Sequence, residues 1–434
     1  MIVDPTIHAQ RRARLQEKMQ RGIAIIPTAP EVERNGGTHH AYRYDSSFYY
    51  LTGFAEPEAV LVLVAGDEQQ AILFCREKNL EREVWDGYRA GPDAAREQYG
   101  FDAAHPIAQL DEKLAELMGN QPALFYPVGN DAAWDQRILK SRSEVQAKAR
   151  SGIRAPNEIH DVRTLLNEMR LFKDEHELAI MRRAAAISTQ AHRRAMQFTR
   201  PGQFEYQLEA ELLHEFCCHG ARHPAYPSIV AGGANACVLH YVGNNAVLKD
   251  GDLLLIDAGC ELDGYASDIT RTFPVNGCFS AAQKDVYEIV LAAQAAAIAA
   301  VRPGNPWNAP HDAALRVLMQ GFIDLKLCQG SVDAVLESES YKRFYMHRTG
   351  HWLGMDVHDV GDYKAGDNWR ALQPGMVFTV EPGCYIRPGD DVPRALWNIG
   401  VRIEDDVAVT AQGSEVLTAA APKAVAEIEE LMRV

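Results

Sequence analysis

Four acidic residues occupy matched places in this sequence. Asp257 ends the apolar run "LLLI" and is followed by Ala-Gly; Glu381 ends "MVFTV" and is followed by Pro-Gly. A second acid follows each: Asp268 in "GYASDITRTF" and Glu404 in "GVRIEDDVAV". A strand this apolar is buried on both faces, and a carboxylate at its end is costly unless paired or metal-bound. Either acid alone reads as a strand-end group capping a turn or facing water. Both, in repeated contexts and each with a second acid, point to a shared site. Clustered carboxylates repel one another without cations. Arg271 and Arg402 could offset part of that charge; two divalent ions would offset all of it. Oxygen-rich ligation with one imidazole suits Mn²⁺, with Co²⁺ or Zn²⁺ also acceptable. Two such ions about 3.5–4 Å apart, sharing carboxylates, form a hydrolytic centre. Its bridging hydroxide forms near neutral pH, and the ions polarise a carbonyl and stabilise the oxyanion.

The imidazole must come from elsewhere, and "HRTGHWLGMDVHDVG" (347–361) offers three. His347 and His351 have the i, i+4 spacing of a helical zinc pair. Gly350 and Gly354 break such a helix, and no Glu follows the first His as that motif requires. The stretch reads as a glycine-rich loop. One imidazole is needed beside four carboxylates, which leaves the others to contact substrate.

These groups need a scaffold with two similar halves, and the sequence supplies one. Helix, Arg-Pro-Gly, helix occurs at 174–219 and recurs at 280–321. In each half a turn and an apolar strand carrying the first acid come next. Asp174 and Glu177 form a capping box that opens the first of these helices, and the domain boundary is placed near residue 173. The preceding region alternates apolar runs (22–29, 59–66, 70–75) with helical stretches, an α/β pattern without a glycine-rich phosphate fingerprint. Two or three domains are the expectation for 434 residues.

Bulk properties narrow the class. Net charge is −15, and the basic doublets at 182–183 and 193–194 sit at helical spacing among apolar residues, so nucleic acid is not expected as a partner. The most apolar stretch, 289–301, is too short to span a bilayer, and the N-terminal residues lack a signal-peptide core. No membrane partner is expected, and the protein is expected to be cytoplasmic. Eight cysteines form no CxxC pair and read as reduced thiols. Cys217 and Cys218 are expected to be buried on their helix.

Taken together, "LLLIDAG", "GYASDITRTF", "GHWLGMDVHD", "TVEPG" and "GVRIEDD" resemble the metal motifs of the pita-bread metallopeptidases, family M24. Their order and spacing are similar to those of the Xaa-Pro aminopeptidases (aminopeptidase P), and "HHAYRYDSSFYYLTGF" resembles that family's amino-terminal domain. The resemblance implies a mixed α/β (α+β) protein. Residues 1–173 would be a creatinase-like α/β domain for substrate access and oligomerisation. Residues 174–434 would be a catalytic pita-bread domain of two pseudo-symmetric halves. It implies metal ligation by Asp257, Asp268, His351, Glu381 and Glu404: Asp257 chelating one ion, His351 and Glu381 on the other, Asp268 and Glu404 bridging. Glu381 would also transfer the proton. His240 and His358 match catalytic, substrate-contacting histidines, and His347 matches one lining the proline pocket. Tyr385 and Arg402 match supporting pocket residues; Arg150 and Trp85 are matched by position, as residues facing the active site of the same or a neighbouring subunit. Trp352 could be a proline wall but reads as core.

The implied reaction is release of the first residue from peptides with proline second, by a homodimer or homotetramer. An Xaa-Pro dipeptidase shares the five ligands, and "RYDSSFYYLTGF" favours the aminopeptidase. Methionine aminopeptidases usually lack so large a leading domain. A metal-free pita-bread binding protein would lack ligands that are all present here.

Overall fold

In the computed structural model, which describes residues 5–433, the early apolar runs form strands β1 (Gly22–Pro27), β2 (Val60–Ala65) and β3 (Gln70–Cys75). With β4 (Ala103–Pro106), β5 (Ala123–Tyr126) and β6 (Glu158–Asp161) they build one sheet in the order β4-β3-β2-β1-β5-β6. The central pairs β1–β2 and β2–β3 are antiparallel and the flanking pairs parallel, giving a mixed sheet. Alternate residues face one core: Ile23, Ile25, Val60, Val62, Ile72 and Phe74 meet Leu110 and Leu114 of the helix after β4 and Met118 at its C-terminal end. By its contacts the chain divides into the units Met1–Met169 and Arg170–Val434.

The second unit repeats itself. Helices α1 (Glu175–Phe198) and α2 (Glu205–Cys218) form the first pair, α3 (Ala281–Ala299) and α4 (Ala309–Asp324) the second. α1 opens with the capping box of Asp174 and Glu177. Each pair is joined through an Arg-Pro-Gly turn whose glycine, Gly202 or Gly304, sits at φ +90° or +87°, a conformation that favours glycine. The two turns make matching backbone bonds: Gly202 N–H to Leu248 O and Gly304 N–H to Leu372 O, each 2.8 Å.

The strands repeat too. β7 (Leu253–Asp257), β8 (Cys260–Leu262), β9 (Tyr265–Ala266) and β10 (Thr270–Pro274) nest one hairpin inside another, β7 with β10 and β8 with β9. β11 (Val377–Val380), β12 (Gly383–Ile386), β13 (Ile399–Arg402) and β14 (Asp405–Val409) nest the same way. β7 and β11 are buried along their whole length. The halves are bolted by Arg271, fully buried. It pairs with Asp405 at 2.7 Å and donates to the carbonyls of Glu404, Ala421 and Pro422. Arg271 therefore serves the join between halves rather than the four acids.

Cys217 and Cys218 are exposed, contrary to expectation. The buried stripe of α2 is Leu208, Leu212 and Phe216, and the next two positions rotate away from it. No helix among the described residues is long and apolar enough to cross a membrane.

Candidate metal centre and active site

The nested hairpins decide where the acids fall. Asp257 is the last residue of β7, and Asp268 lies in the break between β9 and β10. Glu381 directly follows β11, and Glu404 lies between β13 and β14. The breaks are stitched by Ala258 N–H to Ile269 O at 3.0 Å and Glu404 N–H to Thr270 O at 3.1 Å. The histidine loop is laced to β11 by Thr379 N–H to His351 O (3.0 Å) and Glu381 N–H to Thr349 O (2.9 Å). This approach is possible because residue 350 is glycine: a Cβ there would stand 1.9 Å from Thr379 O.

The result is a cavity of about 470 Å³ walled by Asp257, Asp268, His351, Glu381 and Glu404. Tyr226, His240, His347, Arg348, His358 and Arg402 add to its polar lining. Ligand atoms of Asp268, His351 and Glu404 all lie within 4.8 Å of one another, so these three could hold a metal ion. His351 Nε2 is 3.5 Å from Asp268 and 3.7 Å from Glu381. Asp257 is tied to Asp268 by the Tyr226 hydroxyl, at 2.7 and 2.5 Å. It also takes a 2.6 Å ion pair from Arg402.

Hydrogen bonding separates the histidines. Backbone carbonyls only accept, so His351 Nδ1–H donates to Trp352 O (3.0 Å), which turns Nε2 toward the carboxylates. That is the tautomer of a metal-binding imidazole. Lone pair against carboxylate is repulsive unless a cation lies between them or the ring is protonated. His347 donates from Nδ1 to Arg348 O (2.7 Å) and accepts at Nε2 from the Tyr385 hydroxyl (2.8 Å). Both its nitrogens are occupied. His358 packs edge-on to His351 with ring centroids 4.3 Å apart.

Electrostatics describe an over-acidic pocket. Burial lifts the Glu381 carboxyl to about 7, with Asp268 and Asp257 adding to the rise and His351 and Arg402 opposing it. Burial and the charge of Asp268 hold Glu404 well above the usual carboxylate range, and burial raises Asp268 as well. Burial lowers the His351 imidazole, but the Asp268 hydrogen bond and the Glu381 charge outweigh it and raise it to about 9. Burial and Arg402 hold His347 down at about 3, so it stays neutral. Buried acids driven toward protonation, with an imidazole driven toward its cation, fit a site built for added positive charge.

Tyr385 is almost fully buried behind this lining, its hydroxyl linking His347 to Arg402 (3.0 Å). Trp352 is fully buried and stacks on Tyr363, so it is core. Trp85 and Arg150 are exposed residues of the N-terminal unit and are not among those lining the cavity. Sequence reasoning missed Tyr226, Thr270, Thr379 and Asp406. Thr270 donates to Glu404 at 2.6 Å and Thr379 to Glu381 at 3.3 Å. Asp406 accepts the Asp268 N–H at 3.2 Å. Asp406 follows Glu404 by two residues, a signal that could have marked it; the hydroxyls carry none.

A twofold-repeated α/β fold closing around buried acids and one inward-facing imidazole defines a metal-dependent hydrolase. Comparison with known proteins narrows the class. Residues 179–411 match the model of metallopeptidase family M24, and residues 8–126 match the aminopeptidase P N-terminal domain. The chain is 45% identical to the Xaa-Pro aminopeptidase of Escherichia coli (strain K12), over 98% of this chain and 96% of that protein. It superposes on the aminopeptidase PepP of Pseudomonas aeruginosa with TM-score 0.98 at 52% identity, covering 100% of this chain and 99% of that one. Zinc-substituted E. coli aminopeptidase P in complex with product gives TM-score 0.97 at 44% identity, covering 100% and 99%. The chain belongs to metallopeptidase family M24.

Proposed function

We propose that this protein is an Xaa-Pro aminopeptidase, which releases the first residue from peptides carrying proline second. The observation that carries the reading is the Nε2 of His351, turned by the Nδ1 hydrogen bond to Trp352 O toward Asp268 and Glu381 inside the cavity. Asp257, Asp268, His351, Glu381 and Glu404 would hold divalent ions. We read the donor set as serving two, manganese by its oxygen-rich character, with cobalt or zinc as substitutes. Bound there, such ions supply Lewis-acid polarisation of a carbonyl and a lowered pKa for coordinated water.

The remaining work falls to the chain. An Xaa-Pro bond is a tertiary amide with no N–H to grip, so recognition must fall on the ring and on the carbonyl. His347, fixed by Tyr385 and packed edge-on to Tyr345 at 4.8 Å, offers a rigid neutral wall for the ring. His240 and His358 face the cavity and hydrogen-bond the carbonyl beside the scissile bond. Glu381, directly after β11 and facing His351 across the cavity, takes a proton from the attacking water and returns it to the proline nitrogen as that leaves. The acidic wall holds the free α-amino group, which restricts cleavage to the amino terminus. Arg402 positions Asp257. Trp85 and Arg150 enter the proposal as peptide-contacting residues of the leading domain. The assembly is read as a cytoplasmic homodimer or homotetramer, which native mass measurement tests. The activity is tested on an Xaa-Pro-Xaa tripeptide and its Xaa-Pro dipeptide. Cleavage of the tripeptide alone is expected; exclusive cleavage of the dipeptide would make the protein a dipeptidase.

A further inference from the structure

Leu239, His240 and Val242 line one side of the cavity. They lie on a segment with no regular structure between the short helix Gly233–Cys237 and β7. The His240 imidazole has no hydrogen-bond partner among the described residues. Its position is therefore set by its backbone, and the backbone must be held by something else.

That hold comes from the first turn of α2. Glu205 is completely buried. Its Oε1 accepts from Gly232 N–H (2.8 Å) and the Asn235 amide (2.9 Å), which precede His240. Its Oε2 accepts from the Tyr241 hydroxyl (2.8 Å) and Ala246 N–H (2.8 Å), which follow it. The Glu205 N–H donates to Ala246 O at 3.0 Å, closing a reciprocal pair. One turn further along α2, Glu209 accepts from Asn244, which is itself buried and held in a left-handed turn at φ +44°. Nothing in the proton-transfer or metal-binding roles described above uses Glu205.

We infer that Glu205 is the positioning residue for His240, a carboxylate clamp that closes the loop on both sides of the imidazole and presents it to substrate. The inference rests on the proposed reading of His240 as a substrate contact. The chemistry requires an ionised carboxylate. Each oxygen receives a backbone N–H, from Gly232 or from Ala246, and an N–H cannot reverse its polarity. Glutamine in either orientation turns its own NH₂ against one of them. A buried donor left facing another donor costs the full desolvation penalty, and the loop relieves it by moving.

The test is a double-mutant cycle of Glu205→Gln with His240→Ala, in the metal-loaded full-length enzyme on an Xaa-Pro-Xaa tripeptide. Glu205→Gln is expected to lower kcat/KM about tenfold while manganese content per chain is unchanged. In the His240→Ala background the same change is expected to cost almost nothing, because the group it positions is gone. Equal losses in both backgrounds, or loss of metal with Glu205→Gln, would overturn the inference and leave Glu205 a general structural residue. An inert His240→Ala would instead overturn the reading of His240 on which the inference stands. Should Glu205→Gln fail to fold, Tyr241→Phe removes one of the four bonds with the ring retained. The same non-additivity at smaller amplitude is then expected, and additivity would be the contrary result.

Discussion

Stripping divalent ions from this protein should change the sign of its stability's dependence on pH. Glu381 is held at about 7 against an ordinary 4.5, and His351 at about 9 against 6.5. Both folded-state values are raised. Each group therefore contributes stability that is complete below its unfolded value and is lost as pH rises through the folded one. The windows run from 4.5 to about 7 for Glu381 and from 6.5 to about 9 for His351. At about 1.4 kcal/mol per pH unit, either gap alone is worth about 3 kcal/mol. The two groups share the same charges, so their losses are not summed, and one such step is expected between pH 5 and 9. For a unit of this size that is a fall of roughly 6–12 °C in Tm. With ions bound the ligands stay ionised and protons compete with metal, so the loaded protein should hold or gain stability over the same range. Differential scanning fluorimetry of EDTA-stripped and manganese-reconstituted protein at pH 5.5, 7 and 8.5 measures the divergence. Groups elsewhere titrate alike in both forms and cancel. Parallel curves for the two forms would show that these groups do not couple stability to pH through the ions.

Three further outcomes follow from contacts in the same unit. Asp359 is buried between Lys173 (2.9 Å) and Arg170 (2.6 Å), and these cations hold its carboxyl below the usual range against the effect of burial. Its contribution is present above the ordinary value of 3.8 and is lost as pH falls through the lowered one. Asp359→Asn should cost about 3–5 kcal/mol in urea unfolding at pH 7, with the gap to the parent protein narrowing in acid. Tyr385→Phe removes the hydroxyl that donates to His347 Nε2 and accepts from Arg402; kcat/KM should fall about tenfold with metal content nearly unchanged, and Tm should drop by a few degrees because a buried donor loses its partner. Gly350→Ala places a Cβ 1.9 Å from Thr379 O, and elemental analysis should show metal lost from whatever protein still folds.

Asp257 and Glu381 were legible because each ends or follows an unusually apolar strand, where a charge stands out against its neighbours, and Asp268 and Glu404 because a second acid follows each in the same order. The twofold repeat was legible because Arg-Pro-Gly turns and nested hairpins recur in the same order. Which imidazole faces the acids could not be read from spacing. It depends on Trp352 O and the Tyr385 hydroxyl, which occupy ring nitrogens in the folded loop. Thr270 and Tyr226 were invisible for a related reason: their roles exist only with Glu404, 134 residues away, or with Asp257 and Asp268, 31 and 42 residues away. Arg271 was read as a counter-ion for the cluster, yet the chain turns it to Asp405 at the join between halves. Cys217 and Cys218 were misplaced because an apolar helix sequence does not fix which two adjacent positions leave the buried stripe.

Metal dependence is tested most directly by a metal titration followed by activity. EDTA-stripped protein is titrated with Mn²⁺ while release of the first residue from an Xaa-Pro-Xaa tripeptide is measured. No activity is expected in the stripped protein, with saturation at two equivalents of ion per chain and Asp257→Asn failing to reach it. Full hydrolysis by exhaustively stripped protein would contradict metal dependence.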